Sequence, residues 1–358
     1  MTEKKCIKIG FSSALSGVEK NHGKAQVEAV KIAIKEAKEE KLDFDLQLVI
    51  GDDGADANKA VNVAKEFSSD PLIVGVLGPN GSDATKAGAP IYYHAGLPAI
   101  TFSGSVTDIS KEGYSTFFRV IPNDDSQAEI VIRFLEQHLK VKELLLINDN
   151  TKFAIGLNDL IEKYALDKNI KILDKIQIED DKQKMEIIAD KVAKINPAYI
   201  FFAGMEPVCH LAALKLREKG LKSIYLGTDA IKPSKFLVTP GYDVDGPYQS
   251  NVCVDLFRNE LSRDFAQKFK ESFGEIYSVY TAEAYVTAKL LICAIKQCGL
   301  NITRENVLKN IKTIKMDSII GYISFQDNGE LNQSKIGFYR FINQQDLEFI
   351  GFSTELLK

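Results

Sequence analysis

A chain of 358 residues is long for one hydrophobic core, so two domains of ordinary size are expected. Its 45% hydrophobic and 26% charged content is that of a soluble globular protein, and a net charge of −4 with interspersed signs leaves no basic stripe for nucleic acid. The longest apolar runs fall well short of the roughly 20 residues that cross a bilayer.

The chain opens on the charged segment Met1-Thr2-Glu3-Lys4-Lys5, without the pattern of a signal peptide, and passes straight into an apolar strand, Cys6–Phe11. Taken alone, that start suits a cytoplasmic protein; it suits equally a mature domain whose export signal has been removed. Ala25–Glu40 then places Val27, Val30, Ile34 and Ala37 at helical spacing with Lys and Glu on the opposite face. Leu46–Ile50 reads as a strand, Ala57–Phe67 as a helix, Leu72–Leu77 as a strand, Ser82–His94 as a helix and Leu97–Thr101 as a strand. This alternation predicts a parallel sheet with helices on both faces.

The rhythm then restarts. Ser126–Leu139, Gly156–Lys168, Lys184–Lys194 and Pro207–Lys219 read as helices, alternating with strands Glu143–Asn148, Ile170–Gln177, Ala198–Phe202 and Ser223–Leu226. The last third differs: helices over Arg263–Phe273, Tyr280–Cys298 and Thr303–Lys312 precede strands Ile319–Phe325, Gly337–Ile342 and Leu347–Phe352, with turn chemistry at Asp327-Asn328-Gly329 and Asn343–Asp346. Such a tail must return to pack on the earlier units. Arg119–Asp124, Gly246–Ser250 and Phe325–Gly329 are candidate crossovers, and three strands linking two lobes make a hinge.

Two turns carry the chemistry. Gly78-Pro79-Asn80-Gly81-Ser82 and Thr101-Phe102-Ser103-Gly104-Ser105 each follow an apolar strand and expose backbone N–H groups beside serine hydroxyls, which suits a carboxylate or phosphate. Ser82 could equally cap the helix that starts there. The catalytic alternatives each fail on a residue. No serine has glycine at both −2 and +2, as a nucleophile elbow requires. Gly17–Lys24 mimics a phosphate loop, but the spacing is one residue too long and Ala25 stands where Ser or Thr would hold Mg²⁺. No GxGxxG follows a strand. Asp52-Asp53-Gly54-Ala55-Asp56 suggests calcium, yet position twelve is Val63, and a capped strand-to-helix turn accounts for it better. The five cysteines form no CxxC or Cys/His spacing and, being odd in number, no disulfide framework; Cys293 and Cys298 read as packed thiols. No metal, cofactor or catalytic residue is expected.

Along nearly its whole length the chain resembles the type I periplasmic solute-binding proteins of the branched-chain amino acid family, the receptors of ABC importers. The resemblance rests on Ile9–Gly17, Gly51-Asp52-Asp53, Val76-Leu77-Gly78-Pro79, Ala99-Ile100-Thr101, Phe118-Arg119-Val120, Leu226-Gly227-Thr228-Asp229 and Gly321–Phe325, in order and at family spacing. It implies two doubly wound α/β lobes with three interlobe crossovers. The N-terminal lobe would be 1–120 plus 250–325, and the C-terminal lobe 121–249 plus 326–358. It also implies that Asn80, Gly81, Ser82, Ser103 and Ser105 receive the α-carboxylate of an amino acid, while Asp229 pairs with its ammonium. His22, Phe153 and Met205 stand where relatives often carry aromatic pocket residues. Phenyl and thioether in place of two phenols favour an apolar side chain such as leucine, isoleucine, valine or phenylalanine; Glu206, if inward, would admit a polar or basic one. Ala55 and Gly81 stand where some relatives carry paired cysteines.

The mechanism implied is lobe closure over the ligand, with no chemistry performed on it. The expected partners are an amino acid and the membrane permease subunits of an ABC importer, with no nucleic acid; the protein is expected to be monomeric and extracytoplasmic. Two rivals use the same fold: a cytosolic amide- or amino-acid-sensing regulator, and a receptor for an aromatic acid or other small carboxylate, which would leave Asp229 idle.

Overall fold

The computed structural model describes residues 4–204, 206–228, 231, 247–253, 260–274, 279–342 and 347–357; Gly246 of the second expected crossover and the turn Asn343–Asp346 lie outside them. The first α/β run forms β1 (Cys6–Ser13), α1 (Lys20–Glu39), β2 (Asp45–Asp52), α2 (Ala57–Ser69), β3 (Ile73–Leu77), α3 (Ser82–His94), β4 (Ala99–Thr101), a short α4 (Asp108–Lys111) and β5 (Phe117–Arg119). Next come α5 (Asp124–Gln137), β6 (Glu143–Asn148), α6 (Lys152–Asp167), β7 (Lys171–Gln177), α7 (Lys182–Ile195), β8 (Tyr199–Ala203), α8 (Glu206–Glu218), β9 (Ile224–Gly227) and β10 (Tyr248–Asn251). Helices α9 (Arg263–Phe273), α10 (Thr281–Lys296) and α11 (Arg304–Thr313) follow. After them come β11 (Met316–Ser318), β12 (Gly321–Ile323), β13 (Gly337–Phe341), β14 (Leu347–Phe352) and α12 (Ser353–Leu356).

The chain divides into two compact units, Met1–Asn123 with Cys253–Ser334 and Asp124–Val252 with Lys335–Lys358, so the backbone passes between them three times. The third passage falls after residue 334 rather than near 325–329. The cause is local: Phe325 bridges Leu331, Gln326 N–H donates to the Glu330 carbonyl (2.7 Å), and Arg119 N–H donates to the Gly329 carbonyl (3.0 Å). The first two close 325–331 into a turn, and the third fastens that turn to β5.

In the first unit the strands run parallel in the order β2-β1-β3-β4-β5. Alternate side chains of each strand face opposite sides, so both faces need cover. Val27, Val30 and Ile34 of α1 and Leu290, Leu291 and Ala294 of α10 bury one face, and Val63 and Phe67 of α2 with Tyr92 of α3 bury the other. The all-round apolar character of α10 follows from its place: it is buried against both α1 and the sheet.

The second unit repeats this plan. Its parallel strands run β7-β6-β8-β9-β10, and β13 and β14 extend the β10 edge antiparallel. Leu145 and Ile147 face Met185, Val192 and Ala213 of α7 and α8. On α5, the Phe134 ring stacks on Phe338 of β13 with centroids 3.9 Å apart. With β6 and β7 counted first and second, both sheets have the order 2-1-3-4-5. In each, connections leave in opposite directions between the strand pairs β1/β3 and β6/β8, and a crevice opens at the carboxyl ends of those strands. The fold is two doubly wound α/β units, and no described helix is long and apolar enough to cross a membrane.

Candidate functional site

The carboxyl ends of β1 to β5 bring together the residues that the sequence singles out in the first unit. At the end of β3, Gly78 has φ +102° and an added Cβ would lie 2.1 Å from the Ser12 carbonyl oxygen, so only glycine lets the chain turn this close to β1. The turn continues through Asn80 to Gly81, which is the N-cap of α3. Ser82 is the first residue of the helix and does not cap it; no side chain does. Its hydroxyl instead accepts from the N–H groups of Ser105 and Val106, both at 3.3 Å. The second turn answers in kind: Ser103 Oγ accepts from Gly81 N–H (2.9 Å) and donates to Asn80 Oδ1 (2.9 Å). Asn80, Gly81, Ser82, Ser103 and Ser105 thus form one stitched cluster at the mouth of the sheet.

Threonines brace it from below. Thr85 Oγ1 donates to the Gly81 carbonyl (2.6 Å), Thr101 Oγ1 donates to the Pro79 carbonyl (3.1 Å), and Gly104 N–H donates to Thr101 Oγ1 (3.0 Å). The ends of β1 and β2 lock in through two carboxylates. Asp52 accepts from the N–H groups of Leu15 and Gly54, and although burial alone would raise it, these and the bonds from Ser16 hold it below its usual range. Asp53 is fully buried and accepts from Ser12 Oγ (2.8 Å), Asn80 N–H (3.0 Å) and Ala55 N–H (2.9 Å). Burial pushes its carboxyl above the usual range, and the three donors offset only part of that. Asp56 caps α2 by accepting from Lys59 N–H at 2.9 Å, so this acidic run is a strand-to-helix turn. Among the described residues no group of three or more His, Cys, Asp or Glu could hold a metal ion.

Arg119 and Asp53 are site-shaping residues that turn composition alone does not reveal. The signal available for both is a charge beside an apolar strand: Arg119 ends Phe117-Phe118, and Asp53 follows β2. Arg119 donates to the carbonyls of Gly104 (2.7 Å) and Val106 (2.9 Å) in the second turn.

His22 lies in the first turn of α1, half-buried, because that helix starts at Lys20 rather than near Ala25; its Nε2 is 3.8 Å from Glu19. In the second unit, Phe153 is half-buried in the first turn of α6, which follows β6. That turn is well specified: Asp149 Oδ1 accepts from the Thr151 hydroxyl (2.7 Å), and Thr151 Oγ1 caps α6 by accepting from Ala154 N–H (3.2 Å). Met205 and Asp229 lie outside the described residues, as does the side chain of Glu206; in sequence Met205 follows β8 and Asp229 follows β9.

Residues 6–345 match the periplasmic binding protein family. A leucine-, isoleucine-, valine-, threonine- and alanine-binding protein of Pseudomonas aeruginosa is 21% identical over 339 residues, covering 94% of this chain and 90% of that one. A leucine-binding protein of Thermotoga maritima has a similar structure, with a TM-score of 0.80, 20% identity and coverage of 97% and 98%. So does a solute-binding protein of Rhodopseudomonas palustris solved with 3,4-dihydroxybenzoic acid, with a TM-score of 0.79, 16% identity and coverage of 97% and 96%. The match over almost the whole length, on two α/β units of this topology, places the chain in the periplasmic binding protein family.

Proposed function

We propose that this protein captures an apolar α-amino acid outside the cytoplasm and delivers it to the permease of an ABC importer. The observation that carries the proposal is the paired turn of the first unit. Ser105 and Val106 N–H groups meet the Ser82 hydroxyl at 3.3 Å, longer than the roughly 2.9–3.0 Å usual for N–H···O bonds. A carboxylate oxygen is a stronger acceptor than a hydroxyl, and could take over these donors and receive the Ser82 proton as well. The uncapped N-terminus of α3 adds its positive dipole end.

The headgroup's ammonium is assigned to Asp229, and Phe153, Met205 and His22 are the groups proposed to meet the side chain. Because carboxylate and ammonium groups are met from different units, only a closed arrangement makes both sets of contacts, and that differential contact drives closure. The names of the curated relatives support leucine, isoleucine and valine as first candidates. A second reading is favoured by the solved relative with a dihydroxybenzoic acid: an aromatic carboxylate on the same turns, with Asp229 unused.

A thermal-shift screen of the twenty amino acids together with benzoate and dihydroxybenzoate decides between them. A ligand at about a thousand times its Kd stabilises by roughly 4 kcal/mol. The proposal expects the largest upward shifts from leucine, isoleucine, valine or phenylalanine. Shifts from the aromatic acids alone would transfer the site to the second reading, and no shift from any apolar amino acid would refute the first.

A further inference from the structure

We infer that the buried pair Arg119–Glu330 is the positioning device of the anion-binding turn, fixing the direction of its N–H donors and tying that turn to the chain's third passage between units. The inference rests on the reading of the paired turns as a carboxylate site.

The geometry starts from the peptide plane. The Gly104 carbonyl and the Ser105 N–H belong to one peptide unit, and in a trans peptide they point in opposite directions. Arg119 Nη1 grips that carbonyl at 2.7 Å, so the Ser105 N–H is turned the other way, where it meets Ser82 Oγ. Arg119 Nη2 grips the Val106 carbonyl at 2.9 Å and so fixes the far end of the same short segment. With carbonyls held at both ends, the intervening peptide is confined with its Val106 N–H on the Ser82 side. One guanidinium therefore sets two donors of the turn, and its planar fork is what allows it to hold two carbonyls and a carboxylate together.

The partner carboxylate closes the device. Glu330 Oε1 is 2.9 Å from Arg119 Nη2, and the two side chains are 8% and 0% exposed. Stability alone is a weak reason for such a pair, since taking two charges out of water costs about as much as their attraction returns. Glu330 also comes from a turn that fits against β5 by shape. Gly329 has φ +81°, and an added Cβ would lie 1.9 Å from the Phe117 carbonyl oxygen. Its own carbonyl accepts from Arg119 N–H at 3.0 Å. Arg119 lies four residues before the first passage, after Asn123, and Glu330 lies four before the third, after Ser334. One side chain thereby joins the 104–106 turn to two segments that lie four residues from passages between the units.

The test uses the full chain with Arg119→Lys and Glu330→Gln, leucine and leucinamide as probes, and backbone amide exchange of the ligand-free protein. Lysine at 119 supplies a point charge that cannot span both carbonyls, whereas Glu330→Gln removes the partner charge but keeps an oxygen beside the guanidinium at the same size. The inference expects Ser105 and Val106 amides to exchange at least about tenfold faster in Arg119→Lys, and several-fold faster in Glu330→Gln, with amides of α2 unchanged. It also expects leucine affinity to fall at least about tenfold in Arg119→Lys while leucinamide, which lacks the carboxylate, changes less than about threefold. A uniform loss of structure would move both probes and all amides alike, and would overturn the positioning role in favour of a structural one. If Arg119→Lys does not fold, Glu330→Gln decides. Unchanged exchange at Ser105 and Val106 in a folded variant overturns the inference. A wild-type chain that binds no leucine overturns the proposed function instead, and the exchange measurement still decides the positioning role.

Discussion

Replacing Asp53 by asparagine changes one oxygen into an amide nitrogen and nothing in size, at a site with three donors and no solvent. Asp53 Oδ2 accepts from Ser12 Oγ and Asn80 N–H, and Oδ1 accepts from Ala55 N–H. If the asparagine oxygen faces Asn80, its NH₂ faces the Ala55 N–H; if it is flipped, the NH₂ faces the Asn80 N–H. The Ser12 hydroxyl can rotate to accept instead of donate, so either orientation strands one buried backbone N–H. That costs about 1–3 kcal/mol. The pH dependence sharpens the expectation. The folded carboxyl titrates above its ordinary value of 3.8, so between the two the folded state holds the proton that the unfolded chain has lost. Its contribution is full below the unfolded value and is lost as pH rises through the raised one. Asparagine does not titrate, so Asp53→Asn is most damaging at acidic pH and progressively less so as pH climbs. Urea unfolding over a series of pH values that starts near 3.8 and rises through neutrality, followed by tyrosine fluorescence since the chain has no tryptophan, reads this directly. A variant equal to wild type at the acidic end of the series, or a deficit that grows with pH, refutes the reasoning.

Three further substitutions separate binding from support. Asp229→Ala is expected to abolish most leucine binding, at a cost on the order of 3–5 kcal/mol for an unpaired buried ammonium, and calorimetry that finds wild-type affinity removes Asp229 from the site. Ser82→Ala is expected to weaken leucine less than Asp229→Ala does, because the Ser105 and Val106 N–H groups remain; a larger loss by calorimetry would contradict the shared-donor geometry. Arg304 donates to the carbonyls of Ile73 (2.9 Å), Ser68 (3.1 Å), Asp70 (2.7 Å) and Ala95 (3.2 Å), closing α2 and α3 onto β3. Arg304→Lys cannot span them and should lower the stability of the first unit by about 1–3 kcal/mol without changing leucine affinity; an unmoved urea midpoint counts against it.

Where a segment is long and its apolar spacing regular, the sequence already shows the element. Ser82–His94 has its observed ends, and Glu143–Asn148 likewise. The misses have physical causes. β5 is three residues long and leaves no periodicity to read, and β10 reads Tyr-Gln-Ser-Asn and looks like a crossover, because their places in the ladder come from neighbours. In β10 the polar Gln249 is buried because its amide donates to the Ile231 carbonyl at 3.0 Å. The first turn of α1 escapes the reading because a glycine at 23 and the polar residues before it carry no apolar periodicity. At the site, the two Ser/Gly turns are legible as donors. Their mutual pairing is not, since Ser82 and Ser105 meet only after two strands and a helix have been placed. Arg119 and Glu330, more than two hundred residues apart, are further still from anything local spacing can reveal.

That the paired turns bind the carboxylate of an apolar amino acid is the central claim, and calorimetric titration of the wild-type chain with leucine and with leucinamide tests it most directly. The predicted result is saturable leucine binding and at least about tenfold weaker binding of the amide. Equal binding of the two, or no binding of leucine while an aromatic acid binds, would contradict it.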